Sequence, residues 1–331
     1  MDRVLLTGAT GFVGSRLRVA LEAAGYDVRL CARDPDRARA RRPGGDWTFL
    51  DIERPESFLP ALEGCEAAFY LIHRVGASSD YPEREKDAAR AFAEAAARRN
   101  LRRIVYLGGV APKGLPSRHL ESRLETGSIF RSGDVPAVEL RAAMIVGHGS
   151  TSWRMVRELA GRLPAMVLPR WLTRHSWPVS LDDVVLALLA ALEAPDSGPG
   201  CYEIPGPERI SHRQMLARAA KHLGRRPWMI GVPVLTPRLS SYWIGWVTSV
   251  ELAVARELVH GLVSDLDPAG PSFWELGLPG VRRPIPLDRA IELALADEGE
   301  SESPSPSTRA RLERIGRDFT AGAGDTRRPP V

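Results

Sequence analysis

The chain has 331 residues, 44% of them hydrophobic and 26% charged, with a formal net charge of +4. That balance is ordinary for a globular protein, and the length fits one large domain or two coupled ones. The basic excess is arginine spread along the chain, with no dense basic block interleaved with aromatics, so nucleic acid is not expected as a partner.

The first element is the apolar run Val4-Leu5-Leu6, followed by Thr7-Gly8-Ala9-Thr10-Gly11-Phe12-Val13-Gly14 and a segment that reads as helix to Ala24. The spacing G-x-x-G-x-x-G at a strand-to-helix junction points to a dinucleotide. Residues without side chains let the backbone approach a pyrophosphate, and the helix N-terminus offers it free N–H groups. Arg16, early in that helix, reads as part of a solvated face.

Alternation continues beyond it. Strands are predicted at Asp27–Ala32, Trp47–Leu50, Ala67–Ile72, Arg103–Leu107 and Ala137–Arg141. Helices are predicted at Pro35–Ala40, Ser57–Leu62, Pro82–Arg99 and His119–Arg131. Such repetition calls for an α/β fold, a Rossmann doubly wound parallel sheet, over residues 1–150.

The second predicted strand ends Leu30-Cys31-Ala32-Arg33-Asp34-Pro35. An arginine here accommodates a 2′-phosphate, and its planar fork suits that partner, so NADP is favoured, with NAD the second choice. Asp34 reads as the cap of the helix that starts at Pro35. Asp51 and Ile52 follow the third strand, where the acid either meets an adenine amine or caps the next turn. Leu71, Ile72 and His73 end the fourth strand beside the expected adenosine.

The second half is less regular. Helices are predicted at Thr151–Arg162, Leu181–Glu193 (capped by Ser180), Ser211–Leu223 and Pro286–Ala296, with a strand at Cys201–Ile204. Residues 175–195 are expected to return to the sheet, and 151–296 to form a smaller, mostly helical substrate region. Pro164–Trp177 and Trp228–Trp246 are candidates for its apolar lid. Met144 and Ile145, after the sixth strand, either wall a nicotinamide or pack in the core. Residues 297–331 turn to Ser, Pro, Glu and Arg and are expected to carry no packed structure, or at most a short exposed helix at Arg309–Arg317.

The three cysteines form no C-x-x-C pair and the histidines show no metal-binding spacing, so no metal is expected. With no signal-peptide pattern, the cytoplasm is the simplest compartment.

These residues together are similar to the short-chain dehydrogenase/reductase superfamily, in its extended or atypical branch, across residues 1–290. The glycine motif, Arg33, Asp51 and Ser180-Leu181-Asp182-Asp183-Val184 match in order and spacing. Tyr106-Leu107-Gly108-Gly109, His119–Arg123 and Leu163-Pro164 with Pro169-Arg170-Trp171 resemble the NmrA-like and YbjT-like NAD(P)-binding proteins. The resemblance implies a Tyr-x-x-x-Lys pair and a serine as the chemical groups. No Tyr-x-x-x-Lys exists in this chain; His119 and Arg123 stand at the matching place, and Gly108-Gly109 where the serine falls.

His119 can still pass a proton, while Arg123 stays charged and can bind a ribose, phosphate or oxyanion. Two readings stay open. One is an NADP-dependent oxidoreductase on a small, hydrophobic carbonyl or quinone substrate; the other is a non-catalytic NADP(H)-binding sensor or assembly protein. A third reading adds peripheral membrane contact through Pro237–Val250, with Trp243 and Trp246.

Overall fold

The computed structural model describes residues 2–72, 81–196, 198, 200–232, 247–298 and 304–323. Its main sheet contains β1 (Arg3–Leu6), β2 (Asp27–Ala32), β3 (Asp46–Phe49), β4 (Ala67–Tyr70), β5 (Arg103–Gly109), β6 (Ala137–Ala142) and the strand Cys201–Glu203. The spatial order is Cys201–Glu203, β6, β5, β4, β1, β2, β3, with every neighbouring pair parallel. Strand order therefore reverses between β1 and β4, and a crevice opens beyond their carboxyl ends.

Residues on β4 and β5 are buried throughout, as a parallel sheet covered on both faces requires. Side-chain alternation sorts the layers: Val4 and Leu6 of β1 join one apolar cluster, Leu5 the other. Helices α1 (Gly14–Ala23), α2 (Pro35–Arg41), α3 (Phe58–Ala61), α4 (Tyr81–Arg98) and α5 (Arg118–Arg131) fill the connections between strands. On one face Phe92 of α4 meets Tyr70 edge-on, Phe130 of α5 meets Tyr70 edge-on and Tyr106 tilted, and Phe58 of α3 meets Phe92 edge-on. On the other face lie α1 and, after α6 (Thr151–Arg162), helix α7 (Leu181–Ala190).

All ten residues of α7 are buried: past its first turn the helix is apolar on all sides, and Asp182 and Asp183 in that turn pair with Arg311 and Arg282. Ser180 caps it, accepting from the Asp183 amide at 3.0 Å. Helices α6, α8 (His212–His222) and Leu287–Ala296 pack around a separate apolar cluster beyond the sheet. Next to it, Ala165–Pro169 and Trp228–Val232 form a two-stranded parallel ribbon.

Three expectations need correction. The segment after Asp297 is packed: Pro306–Ala323 is a helix lying on α1 and α7, with Leu312, Ile315 and Phe319 buried. Ser305 accepts from the Thr308 amide at 3.3 Å and Pro306 begins the first turn, so part of the Ser/Pro run is a helix start. Contact with α1 is close, since a Cβ on Gly316 would overlap the Ala20 carbonyl. Arg16 is 6% exposed and donates back to the Phe12 carbonyl at 3.4 Å, so it is not on a solvated face. Trp228, the start of the second predicted lid segment, is 75% exposed on its ribbon and lines none of the three cavities described below. Trp243, Trp246 and the rest of 233–246 lie outside the described residues. Among the described residues no helix is long and apolar enough to cross a membrane, and no group of three metal-ligating side chains forms.

Candidate dinucleotide and substrate site

The loop after β1 is folded flat on the start of α1 because three of its residues lack side chains. Gly8 has φ +65°, and a Cβ there would lie 2.7 Å from the Leu71 carbonyl oxygen; a Cβ on Gly14 would overlap the Gly8 carbonyl. Gly11 donates its amide to Gly8 O at 2.8 Å, closing the turn. Thr7 is fully buried and stitches β1 to β4: its hydroxyl donates to Phe69 O and accepts from Leu71 N, both at 2.9 Å. Val13 holds the N-cap position of α1 without a capping side chain. Among the described residues nothing accepts from the amides of Phe12 and Val13. A cradle that glycine alone fits, facing free amides at a helix N-terminus, suits a pyrophosphate. From outside, Arg42 donates to the carbonyls of Ala9 at 2.9 Å and Thr10 at 3.1 Å, fixing the loop.

Two cavities flank this cradle at the carboxyl end of β2. One, of about 190 Å³, lies between Gly8 and Thr10 on one side and Arg33, Asp51, Ile52 and Ile72 on the other. The other, of about 400 Å³, is lined by Arg33, Arg37, Arg41 and Arg42 with Thr10 and Asp34. Asp34 accepts from the Arg37 amide at 2.9 Å, so it caps α2. Asp51 accepts from the Glu53 amide at 3.1 Å and also faces the smaller cavity. His73 lies outside the described residues.

Across the crevice, β5 ends at Gly108-Gly109. A Cβ on Gly108 would sit 2.7 Å from Glu139 Oε1, and one on Gly109 would sit 2.6 Å from Leu120 Cδ1. Glu139, buried and paired with Arg141 and Arg131, occupies the space a side chain at Gly108 would need. Arg123 donates from Nη2 to Leu107 O at 2.9 Å and Gly108 O at 3.1 Å, tying the strand end to α5. Its Nε is buried with no partner among the described residues.

His119 stands one turn earlier on α5, its Nδ1 3.5 Å from the Tyr81 hydroxyl at the start of α4. Burial lowers the His119 pKa to about 4, and the Arg123 charge adds to the effect. Tyr81 is bonded in turn to Glu85; burial first, and then that carboxylate, push the phenol well above its usual range. Glu85 is buried and also accepts from the Ser122 hydroxyl.

His119, Arg123, Gly109 and Met144 line a third cavity, of about 210 Å³ and largely apolar. Its walls are Met155 and Leu159 of α6, Met166 and Trp171 after it, Met215 of α8, and Leu258 of the helix Leu252–Gly261. The structure thus gathers Thr7, Gly8, Thr10, Gly11, Phe12, Val13, Gly14, Arg33, Asp51, Ile52, Leu71 and Ile72 around the loop, and His119, Arg123, Gly109 and Met144 at the cavity. Ile145 is not on that wall; it pairs with Val179 in a two-residue ladder. Pro164–Trp177 contributes to the walls through Met166, Leu168, Pro169, Trp171, Leu172 and Ser176.

Sequence reading missed Arg37, Arg41 and Arg42, although their spacing on a short helix after Arg33 carried the signal. It also missed Tyr81, Glu85 and the α6 and α8 walls, which only tertiary packing brings to the crevice.

Comparison with known proteins agrees with this geometry. Residues 8–129 match a family profile described as NAD(P)H-binding. A 3-diazoavenalumate denitrifying reductase of Streptomyces is 29% identical over 290 residues, covering 77% of this chain and 91% of that protein. A (4-alkanoyl-5-oxo-2,5-dihydrofuran-3-yl)methyl phosphate reductase of Streptomyces griseus is 30% identical over 239 residues, covering 67% and 74%. Among solved structures, the Citrobacter triphenylmethane reductase complexed with NADP(H) superposes with a TM-score of 0.67 at 16% identity, covering 88% of this chain and 99% of that one. The chain belongs to the NAD(P)-binding short-chain dehydrogenase/reductase superfamily, in its atypical, extended branch. Within it, the relatives of known activity named here are reductases of small molecules.

Proposed function

We propose that the protein is an NADP(H)-dependent reductase of a small, apolar carbonyl or quinone substrate. The observation that carries this is the apolar cavity at the ends of β5 and β6: it begins at Gly109 and Met144 and holds His119 in its wall. The geometry supports the following residues as those that would hold the cofactor. The amides of Phe12 and Val13 take the pyrophosphate; Asp51, Ile52 and Ile72 border the adenine; Arg33, Arg37 and Arg41 surround a 2′-phosphate. When bound, the cofactor supplies a hydride.

The chain's own part is orientation, water exclusion and a proton. Methionines and leucines keep the substrate carbon dry. Tyr81 directs its one proton to Glu85, so His119 Nδ1 carries the hydrogen that bridges to Tyr81. His119 Nε2 then faces the substrate oxygen and delivers a proton when the ring is protonated. Arg123 Nε is the donor left for the ribose, a task the family gives to lysine.

Arg123 Nη2 is already committed to Leu107 and Gly108 carbonyls, and this favours the second reading, a dinucleotide-binding sensor without hydride chemistry. NADPH consumption against a panel of apolar aldehydes, ketones and quinones separates the two. Turnover that falls about a hundredfold or more in His119→Ala supports the reductase. Tight NADPH binding with no turnover across the panel supports the sensor.

A further inference from the structure

The apolar cavity holds polar atoms that the proposed proton step leaves unused. Ser117 and Ser152, also in the wall, have partners: Ser117 accepts from the Leu120 amide, and Ser152 meets the Ser150 hydroxyl. Three others do not. Trp171 Nε1, His212 Nε2 and Glu257 Oε2 are each buried without a hydrogen-bond partner among the described residues, and all three residues line the cavity. Trp171 is 8% and His212 6% exposed.

Their positions are fixed mainly by elements other than α5, although the helix Leu252–Gly261 also touches α5. His212 opens α8 directly after Ser211, whose capping box with Gln214 sets the first turn, and its amide donates to Arg174 O at 3.0 Å. Trp171 lies in the short helical turn Arg170–Thr173 that packs on α8. Glu257 comes from the helix Leu252–Gly261, whose Ala255 and Val259 share an apolar cluster with Trp171. Leaving such atoms unpaired in a dry cavity is costly, so a ligand group that pairs them is selected strongly.

Resting on the reductase reading, we propose that Trp171, His212 and Glu257 form a second, polar subsite that recognises a hydroxyl group of the substrate. The substrate is then an apolar carbonyl compound that also bears a free hydroxyl. The chemistry of the three atoms selects it. An indole N–H only donates and a carboxylate only accepts, while imidazole nitrogen does either according to tautomer. A hydroxyl can both accept from Trp171 and donate to Glu257. A carbonyl cannot donate to Glu257, an ammonium cannot accept from Trp171, and a phosphate or carboxylate is repelled by Glu257.

The test is calorimetry on the full chain saturated with NADP⁺, which blocks turnover. The probes are a medium-chain methyl ketone, the same ketone with a terminal hydroxyl, and the same ketone with a terminal carboxylate. The hydroxy ketone is expected to bind at least about tenfold tighter than the plain one, and the carboxylate weakest. In His212→Leu and in Glu257→Leu the preference should drop to about twofold or less, with His212→Gln keeping part of it. Melting temperatures of the two leucine variants should equal or exceed that of the parent, because an unpaired buried polar group is removed; a structural role would lower them. Equal binding of hydroxy and plain ketones, or an unchanged preference in both leucine variants, overturns the subsite and leaves the reductase reading standing. Binding of none of the probes overturns both.

Discussion

His119 Nδ1 lies 3.5 Å from the Tyr81 hydroxyl, and the same hydroxyl is bonded to the buried Glu85 carboxylate. In the proposed reaction Tyr81 is a positioning residue that acts through the imidazole. Protonated His119 is the proposed acid and its pKa is lowered, so reduction should speed up as pH falls from neutrality towards that pKa of about 4. In Tyr81→Phe the link from imidazole to Glu85 is lost. We expect kcat to fall about tenfold or more with KM for NADPH unchanged, and the acid limb of the pH profile to move lower. A parent-like profile in the variant contradicts the relay.

In the proposed reading, cofactor choice rests on separable arginines. Arg33 and Arg37 face the larger cavity beside the loop, whereas Arg42 holds the loop itself through Ala9 O and Thr10 O. Arg33→Ala should weaken NADPH about 10–100-fold and leave NADH nearly unaffected, because a charge-assisted bond to the 2′-phosphate is lost. Arg42→Ala should weaken both nucleotides alike. Equal losses for both nucleotides in Arg33→Ala would remove the phosphate role.

Removal of residues 304–331 tests the helix that covers α1. Leu312, Ile315 and Phe319 would leave their apolar seat, and Arg311 would abandon Asp182 and Asp297, each 2.6 Å away. Uncovering the apolar surface of α1 and α7 that these three side chains bury costs about 5 kcal/mol or more, so a clear drop in melting temperature is expected. Since α1 opens at the glycine loop, dinucleotide affinity should fall with it. Unchanged stability would mean the helix is only loosely seated.

The local part of this molecule was readable from sequence, and the distant part was not. Gly8, Gly11 and Gly14 are required by contacts within their own turn and with β4, and Asp34 and Ser180 cap helices a few residues away. Such signals sit within one stretch of chain. The apolar cavity draws Met155, Met166, Met215 and Leu258 from four separate elements, and no spacing rule links them. At the tail a signal existed and was outweighed. Leu312, Ile315 and Phe319 recur at helical spacing, but the polar Ser/Pro run before them masked a capped helix start.

Acid stability gives a further check. Burial holds the His212 pKa near 4, with the His175 charge acting in the same direction and Asp265 against it. A folded pKa below the unfolded value of about 6.5 means that the unfolded chain binds the extra proton. The stabilising effect of keeping His212 neutral is present above that value and is lost as pH falls from there to about 4. It amounts to about 3 kcal/mol, so His212→Leu should flatten the acid limb of a melting-temperature profile. A limb of the same slope in the variant would place the titration elsewhere.

The central claim is that a hydride passes from the dinucleotide to an apolar substrate beside His119. Its most direct measurement uses NADPH deuterated at one face of C4, with products of a panel of apolar ketones, enones and quinones read by mass spectrometry. Deuterium carried into a product from one face of the label, and nearly abolished in His119→Ala, is the expected result. Saturated NADPH binding with no deuterium in any product would contradict it.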